Sequence, residues 1–390
     1  MFKRKFIMSS HPSSIYVHLP WCWSKCPYCD FNSHVLNDES KINTYTKLIT
    51  KDIENEAKKF KKSKLKTIFI GGGTPNLFDP ISIAKMFDSI NTNFDIENNC
   101  EITMEINPGS IKKAKLMEYR SIGINRLSIG AQTFNEKLLK SIGRDHRPKH
   151  IESVFKTANE VKFESINIDL MFGLPNQSRV MAKNDIKKII DLSPEHISYY
   201  QLTIEPNTKF FYDKPNGLPS SDKQNLIQED CLNLLEKAGY ERYEISAFSK
   251  KNFECKHNLN YWRFGDYIAV GAGAHGKYRL KNDDMIRYQN ASNPNIYMKN
   301  LISNKSCHKE KLLSNSDKIF EFMLNNLRLM SGFSVAHFES ATGLKYDVIE
   351  KKLSELNNLK LMQYYPSGYW KPTALGFKFL DNLQSKFLQV

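Results

Sequence analysis

The sequence lacks long apolar runs throughout its 390 residues. No stretch approaches the roughly 18 consecutive apolar residues that a membrane-spanning helix needs, so we expect no transmembrane segment. The first residues are rich in basic side chains but lack the apolar centre of a secretory signal. We therefore expect a short leader over residues 1–14, with Met1 and Met8 as alternative start residues, and a cytoplasmic location.

Acidic residues are also in short supply. Asp and Glu number 42 against 56 Lys and Arg, which leaves a net charge of +14. This charge is compatible with nucleic acid, an anionic membrane surface or a carboxylate-bearing ligand. The densest basic run, over residues 57–66, ends a predicted helix, where the helix dipole and solvent both favour cations. We therefore do not expect nucleic acid as a specific partner, while a peripheral membrane contact stays open.

The chain has seven cysteines, an odd number that argues against a disulfide scaffold in a chain of this length. Cys22, Cys26 and Cys29 have the spacing C-x3-C-x2-C and follow a predicted strand. Three thiolates at this spacing can ligate three irons of one cubane iron–sulfur cluster and leave the fourth iron open. The spacing alone also allows a structural zinc site, with His18 or His34 as the fourth ligand, or a set of buried thiols.

Short β-like runs alternate with longer helical patterns from residue 15 to about residue 202. This alternation predicts an α/β fold with a parallel sheet covered by helices, and six units suit a partial (β/α)6 barrel that is open on one side. Functional residues gather at the carboxyl ends of the strands in such a sheet. The predicted strands are Ile15–Leu19, Thr67–Ile70, Cys100–Ile106, Asn125–Ile129, Ser165–Met171 and His196–Leu202.

The pattern changes after residue 205, where prolines and glycines mark a loop. We therefore divide the chain into a leader (1–14), a core barrel (15–205), a barrel extension (206–310) and a C-terminal domain (311–390). Helical patterns followed by two β-like pieces around Pro366-Ser367-Gly368 predict that the last of these is mostly helical and resembles a winged-helix module.

The run Gly71-Gly72-Gly73-Thr74-Pro75 directly follows the second predicted strand, where glycines let the backbone approach a ligand closely. Together with the cysteine spacing after the first strand of a βα pattern, it resembles the signature of the radical S-adenosylmethionine (SAM) superfamily. The resemblance implies a [4Fe–4S] cluster on the three cysteines, with SAM chelating the open iron.

The same resemblance implies SAM contacts from residues at or near the strand ends. A carboxylate suits ribose hydroxyls and a cation suits the SAM carboxylate, whereas each residue taken singly suits a structural hydrogen bond equally well. The candidate SAM-binding residues are Tyr16, Gly72, Gly73, Thr74, Glu105, Gln132, Arg144 and Asp169.

The segment His257-Asn258-Leu259-Asn260-Tyr261-Trp262 matches HNxxYW, a motif of the HemW family of heme chaperones, which the chain resembles over almost its whole length. The resemblance implies heme as a ligand, with His257 as its candidate axial ligand and Tyr261 and Trp262 against the porphyrin. Cys255 is a further candidate partner of heme. From the residues alone, a core turn in which His257 bonds backbone carbonyls is the stronger interpretation.

Three functions are therefore compared. The first is a heme carrier that hands heme to acceptor proteins, such as those of the respiratory chain, and that forms homodimers in some states. The second is oxygen-independent coproporphyrinogen III dehydrogenation, but those relatives carry an additional cysteine where this chain has Phe31, and a longer N-terminal extension. The third is modification of RNA by a radical SAM protein, although the basic residues form no obvious stripe in the C-terminal domain.

Overall fold

The computed structural model describes residues 11–60 and 63–388. The candidate start residues Met1 and Met8, most of the expected leader, and part of the basic run lie outside the described residues. None of the helices in the described ranges is long and apolar enough to cross a membrane.

The strands have the following bounds: β1 Ser14–Leu19, β2 Trp21–Cys22, β3 His34–Val35, β4 Lys64–Gly72, β5 Asp95–Ile106, β6 Arg126–Gln132, β7 Ser165–Phe172, β8 His196–Gln201, β9 Glu241–Glu244, β10 Ala247–Ser249, β11 Ile268–Val270, β12 His275–Arg279, β13 Met285–Asn290, β14 His308–Leu312, β15 Phe333–Ser334, β16 Met362–Tyr365 and β17 Tyr369–Pro372.

The α-helices have the following bounds: α1 Ser40–Lys59, α2 Pro80–Asn93, α3 Lys113–Ile122, α4 Glu136–Ser141, α5 Pro148–Val161, α6 Arg179–Leu192, α7 Lys209–Tyr212, α8 Ser221–Lys237, α9 Lys256–Trp262, α10 Pro294–Ile302, α11 Asn315–Asn326, α12 Val335–Thr342, α13 Asp347–Asn358, α14 Ala374–Lys378 and α15 Leu380–Ser385. Two short 3-10 helices cover Pro75–Leu77 and Pro108–Ser110.

One nine-stranded sheet organises the molecule, in the order β11-β1-β4-β5-β6-β7-β8-β10-β9. The six strands from β1 to β8 in this order are parallel, and they correspond to the six predicted strands. Strand β11 extends the sheet in parallel beside β1, whereas β10 and β9 close the other side in antiparallel pairing. Within the described ranges the outer strands β11 and β9 do not pair with each other, which agrees with the predicted open barrel.

The two faces of this sheet differ because successive side chains of a strand point to opposite sides. One face is apolar and packs under the helices; in β6 it carries Leu127, Ile129 and Ala131, each fully buried. The alternate positions of the same strand, including Arg126 and Ser128, face the inside of the barrel. The interior of this barrel is therefore polar. In a closed (β/α)8 barrel, by contrast, bulky apolar side chains usually fill the interior.

Local sequence signals start the covering helices. Asp79 accepts a hydrogen bond from the backbone N–H of Ser82 at 2.7 Å and Pro80 occupies the first turn, as the sequence predicts for α2. Helices α1, α2, α3, α5, α6 and α8 contribute buried side chains to one core beneath the sheet.

The C-terminal part contains helices α11 to α13, followed by the hairpin β16–β17, in the predicted order. It has a second hydrophobic core built around Phe322, Phe338 and Leu353. Phe264 and Met285, from the region between the barrel and this part, belong to that second core. The proposed domain limits at residues 205 and 310 stay a prediction.

Candidate functional site

A cavity of about 590 Å³ lies inside the barrel and opens at the carboxyl ends of the parallel strands. It brings together residues that stand far apart in the sequence. The three cysteines, all eight candidate SAM residues and three of the four candidate heme residues line it: Cys22, Cys26, Cys29, Tyr16, Gly72, Gly73, Thr74, Glu105, Gln132, Arg144, Asp169, His257, Tyr261 and Trp262.

The cysteine loop follows β1 and lies at the mouth of this cavity. The Thr74 hydroxyl donates to Cys22 Sγ at 3.3 Å, and Cys29 Sγ lies 3.8 Å from Ser33 Oγ. Burial raises the pKa of Cys22 and of Cys29, so both are neutral thiols in the absence of a positive partner. A metal cluster supplies that positive charge and holds the sulfurs as thiolates.

The two histidines considered as a fourth zinc ligand, His18 and His34, both contact Asn32. Within residues 11–60 and 63–388, no three His, Cys, Asp or Glu side chains converge on a single ion. A cubane needs a wider spread, because each thiolate binds a different iron. His18, one proposed zinc ligand, is already engaged: its Nε2–H donates to the Asn32 carbonyl at 2.9 Å, and its Nδ1 accepts from Tyr16 Oη at 2.9 Å. His34 Nε2 lies 3.3 Å from Asn32 Oδ1.

The glycine run after β4 lies against the cysteine loop. A Cβ atom on Gly73 would lie 2.6 Å from the Trp21 carbonyl oxygen, and Gly72 has a φ of +119° with the His18 ring directly beside it. The Thr74 N–H also donates to the Trp21 carbonyl at 2.7 Å. These glycines therefore have a structural role in joining two loops, in addition to the ligand contact that the sequence predicts.

Glu105, at the end of β5, lies within this enclosed space. Its Oε2 accepts the Gly72 N–H at 2.9 Å. Burial, with a contribution from Asp169, raises the pKa of the Glu105 carboxyl to about 7. A cationic ligand group in the cavity would restore the ionised form, because an opposite charge nearby favours it.

Gln132 is the last residue of β6, and Arg144 follows α4 and reaches back to the end of that strand. Arg144 donates from Nη2 to the Gly130 carbonyl at 2.8 Å, and its Nη1 lies 3.8 Å from Cys26 Sγ. Its Nε is buried without a hydrogen-bond partner. Gln132 has a φ of +70°, which is uncommon for a residue with a Cβ atom, and accepts from the Tyr200 hydroxyl at 2.8 Å. A cation and a strained backbone at a strand end are typical of ligand sites.

Asp169 is held by a polar network on the inner face of β6 and β7. Asn167 Nδ2 donates to its Oδ1 at 2.7 Å, and the Ser128 hydroxyl donates to its Oδ2 at 3.3 Å. Burial raises the pKa of this carboxyl despite these donors. The network orients a carboxylate toward the cavity, where ligand hydroxyls suit it.

His257 lies in α9, which enters the barrel and contacts β4. Thr67 Oγ1 donates to Ser14 Oγ at 2.8 Å, so the His257 Nδ1–H donates to Thr67 Oγ1 at 2.8 Å and leaves Nε2 as an acceptor. The Tyr261 hydroxyl donates to that Nε2 at 2.8 Å. Burial lowers the pKa of His257 to about 3, so the imidazole is neutral. The alternative interpretation, in which His257 bonds backbone carbonyls, is wrong in its partners, because both ring nitrogens bond side chains.

Trp262 and Cys255 differ in their access to the cavity. Trp262 lines the cavity, and the guanidinium carbon of Arg328 lies 4.3 Å from its ring centroid. Cys255 is fully buried outside the cavity lining, where its thiol donates to Glu101 Oε1 at 3.6 Å. Burial raises the pKa of this thiol to about 12, so it is protonated at neutral pH. The structure therefore does not bring Cys255 to the position expected of a heme partner.

Comparisons with known proteins agree with this geometry. The model of the radical SAM superfamily matches residues 16–189. The heme chaperone HemW of Haemophilus influenzae is 41% identical over 97% of this chain and 98% of its own, and the HemW of Escherichia coli is 40% identical over the same shares. The chain belongs to the HemW family. The solved structure of the coproporphyrinogen III oxidase HemN from Escherichia coli has the same fold, with a TM-score of 0.84 at 23% identity over 97% of this chain and 90% of that one.

Membership of the HemW family, within the radical SAM superfamily, implies a [4Fe–4S] cluster and SAM as cofactors. The three cysteines and the cavity beside them fit both groups. Phe31 lines the mouth of the cavity and is 58% exposed, so it presents an aromatic ring there.

Several residues that line the cavity of this HemW family member are not predicted by its sequence motifs. They lie on the inner face of the strands or reach the cavity from the C-terminal part, and their only sequence signal is a polar residue at alternate strand positions. They are Arg126, Ser128, Asn167, Ser198, Tyr200 and Arg328.

Proposed function

We propose that this protein binds heme and transfers it to acceptor proteins, with a SAM-ligated [4Fe–4S] cluster at the mouth of the same cavity. The observation that carries the proposal is the shared cavity, which is lined by the three cysteines and by His257, Tyr261 and Trp262 of the HNxxYW motif. The family membership supports the same function. The proposal also includes a cytoplasmic location, respiratory heme proteins as acceptors, a homodimer and a peripheral membrane contact.

Within this proposal, His257 provides the iron ligand. Its Nε2 carries the lone pair that a heme iron needs, and neutral imidazole is the form that binds metal. That lone pair accepts a hydrogen bond from Tyr261, so heme binding requires the Tyr261 hydroxyl to move away. Trp262, stacked beside Arg328, offers an aromatic face to the macrocycle.

Residues at the end of the cavity near the three cysteines are positioned to bind SAM. When bound, the cluster supplies an open iron and one electron at a time. Arg144 is positioned by the Gly130 carbonyl and offers a cation near Cys26. Glu105 and Asp169 offer carboxylates to the cationic and hydroxyl groups of SAM.

Oxidative decarboxylation of coproporphyrinogen III is the second candidate function. The likeness to HemN supports the fold alone, and Phe31 replaces the additional cysteine of the dehydrogenases. Saturable heme binding without coproporphyrinogen turnover supports the chaperone. Turnover with weak heme binding contradicts it and identifies an enzyme.

The test is an anaerobic heme titration of the cluster-reconstituted protein, followed by optical absorbance, with coproporphyrinogen turnover assayed on the same sample. His257→Ala should weaken heme binding and leave the cluster absorbance unchanged. His11→Ala is the matched control, because His11 is exposed and lies outside the cavity. Unchanged heme affinity in His257→Ala would show that another residue binds the iron.

A further inference from the structure

Arg126, at the start of β6, is a buried cation whose guanidinium forms no hydrogen bond with any residue that the structure describes. Its side chain is 3% exposed and lines the cavity. In the described ranges it forms no hydrogen bond or ion pair, and its Nε is buried without an acceptor. A guanidinium has five N–H donors and stays charged, so burying it without acceptors is costly. Native structures keep such a group where a ligand or ordered water completes it.

The nearest carboxylates are those of Glu101 and Asp169, which lie close enough to interact electrostatically with Arg126. Neither of them accepts a hydrogen bond from its guanidinium. Both oxygens of Glu101 accept backbone N–H groups at the start of α9, at 3.0 Å from His257 and 3.1 Å from Lys256. Both oxygens of Asp169 accept side-chain donors of β6 and β7. Because Nε is itself buried, the donors that remain for a ligand in the cavity are those of Nη1 and Nη2.

The position of Arg126 separates it from the SAM end of the cavity. Arg126 is the first residue of β6 and Gln132 is the last. Six residue steps of about 3.3 Å place their backbones roughly 20 Å apart along the strand. Arg144 already offers a cation beside the cysteines, so a SAM carboxylate at the cluster would not reach Arg126. The ligand group that Arg126 binds belongs to a different part of the cavity.

Arg126 is close to the proposed iron ligand. Both side chains line the same cavity. Glu101, two residues before the β5 residue that pairs with Arg126, accepts the backbone N–H of His257 at 3.0 Å. Asn167 and Ser198 line the cavity with it and add polar groups. A planar guanidinium binds a carboxylate through two parallel hydrogen bonds. The matching ligand is therefore a carboxylate on a body large enough to reach His257 at the same time.

We propose that Arg126 binds a propionate side chain of the porphyrin, at the inner end of the cavity, while His257 binds the iron. This assignment rests on the proposed heme function. The inner end of the cavity is polar, whereas the porphyrin ring is largely apolar. The assignment reconciles the two, because only the propionate carboxylate enters that inner end.

The test compares two ligands on the wild-type, cluster-reconstituted protein: iron protoporphyrin IX and its dimethyl ester, in which both carboxylates are blocked. We expect the free acid to bind roughly ten to a hundred times more tightly, as a buried charge-assisted hydrogen bond predicts. Arg126→Gln should remove most of this preference by weakening the acid alone. Arg120→Gln, on the outer helix α3 and paired with Glu164 at 2.9 Å, is the matched control and should keep it.

Each outcome decides a separate point. Equal binding of acid and ester by the wild type overturns the role of Arg126, whereas binding of neither ligand overturns the heme function itself. If Arg126→Gln does not fold, Arg126→Lys replaces it: the preference should fall at least fivefold, because an ammonium cannot form the paired contact. SAM affinity is measured in parallel. A loss of SAM binding with an unchanged porphyrin preference would assign the guanidinium to SAM instead.

Discussion

We predict that Glu105 makes the affinity for SAM depend on pH near neutrality. Burial raises the pKa of its carboxyl to about 7, so roughly half of the protein without SAM is protonated there at neutral pH. SAM carries cationic groups, and the ionised carboxylate is the form that attracts them. If binding requires ionisation, the apparent Kd should rise roughly tenfold between pH 7.5 and pH 6, because the ionised fraction falls by that factor.

The assay is anaerobic SAM titration of the cluster-reconstituted protein over this pH range. Glu105→Gln keeps the shape and the acceptor for the Gly72 N–H but cannot ionise, so its affinity provides the reference at each pH. Protonation of SAM itself or of groups at the cluster affects both proteins equally, so it cancels in the ratio of the wild-type affinity to the Glu105→Gln affinity. A ratio that stays constant between pH 6 and pH 7.5 would refute the reasoning, because the carboxyl would then be ionised throughout or absent from the SAM contact.

The same shift has a consequence for stability. A carboxyl whose pKa is higher in the folded state binds more protons there than in the unfolded chain. The contribution of Glu105 to the free energy of unfolding therefore falls as pH rises from 4.5, the ordinary pKa of this carboxyl, toward about 7. Without SAM, the free energy of unfolding of Glu105→Gln should rise relative to wild type across that window, as chemical denaturation at several pH values would detect. A relative stability that falls or stays level contradicts the sign.

Three further predictions concern the cluster, the heme ligand and the core. Cys26→Ala should abolish the cluster absorbance while changing the free energy of unfolding of the apo-protein by less than about 1 kcal/mol, since the side chain is only half-buried. Cys100→Ala is the control and should keep the cluster absorbance. If Cys26→Ala retained the cluster, Cys26 would not be one of its ligands. Tyr261→Phe should raise heme affinity about two- to tenfold by freeing the Nε2 of His257, while lowering stability by about 1–3 kcal/mol; weaker heme binding in an absorbance titration would contradict the competition. Asp52→Ala should lower the free energy of unfolding by about 3–5 kcal/mol, because this buried carboxyl accepts from a backbone amide, a tyrosine hydroxyl and a thiol; a loss below about 1 kcal/mol in a urea titration would show that water replaces it.

Much of the frame was predictable from local pattern. The six parallel strands follow from short β-like runs separated by amphipathic stretches, and their observed bounds differ from the predicted ones mainly by extension. β5 is the clearest case: it begins at Asp95, five residues before the predicted start, in a segment rich in Asn and Glu. Tertiary pairing with β4 there overrides a weak β propensity.

The sequence by itself determined the strand order in the chain, the cysteine spacing and the HNxxYW segment, because each depends on residues close together along the chain. Only the tertiary structure decided which side chains share the cavity. It placed Cys255 outside the cavity lining and engaged both nitrogens of His257 with side chains. It also left the Nε of Arg126 without a hydrogen-bond partner in the part of the chain that the structure describes. The contacts of Cys255 with Glu101 and of His257 with Thr67 join segments more than a hundred residues apart, which no local pattern encodes.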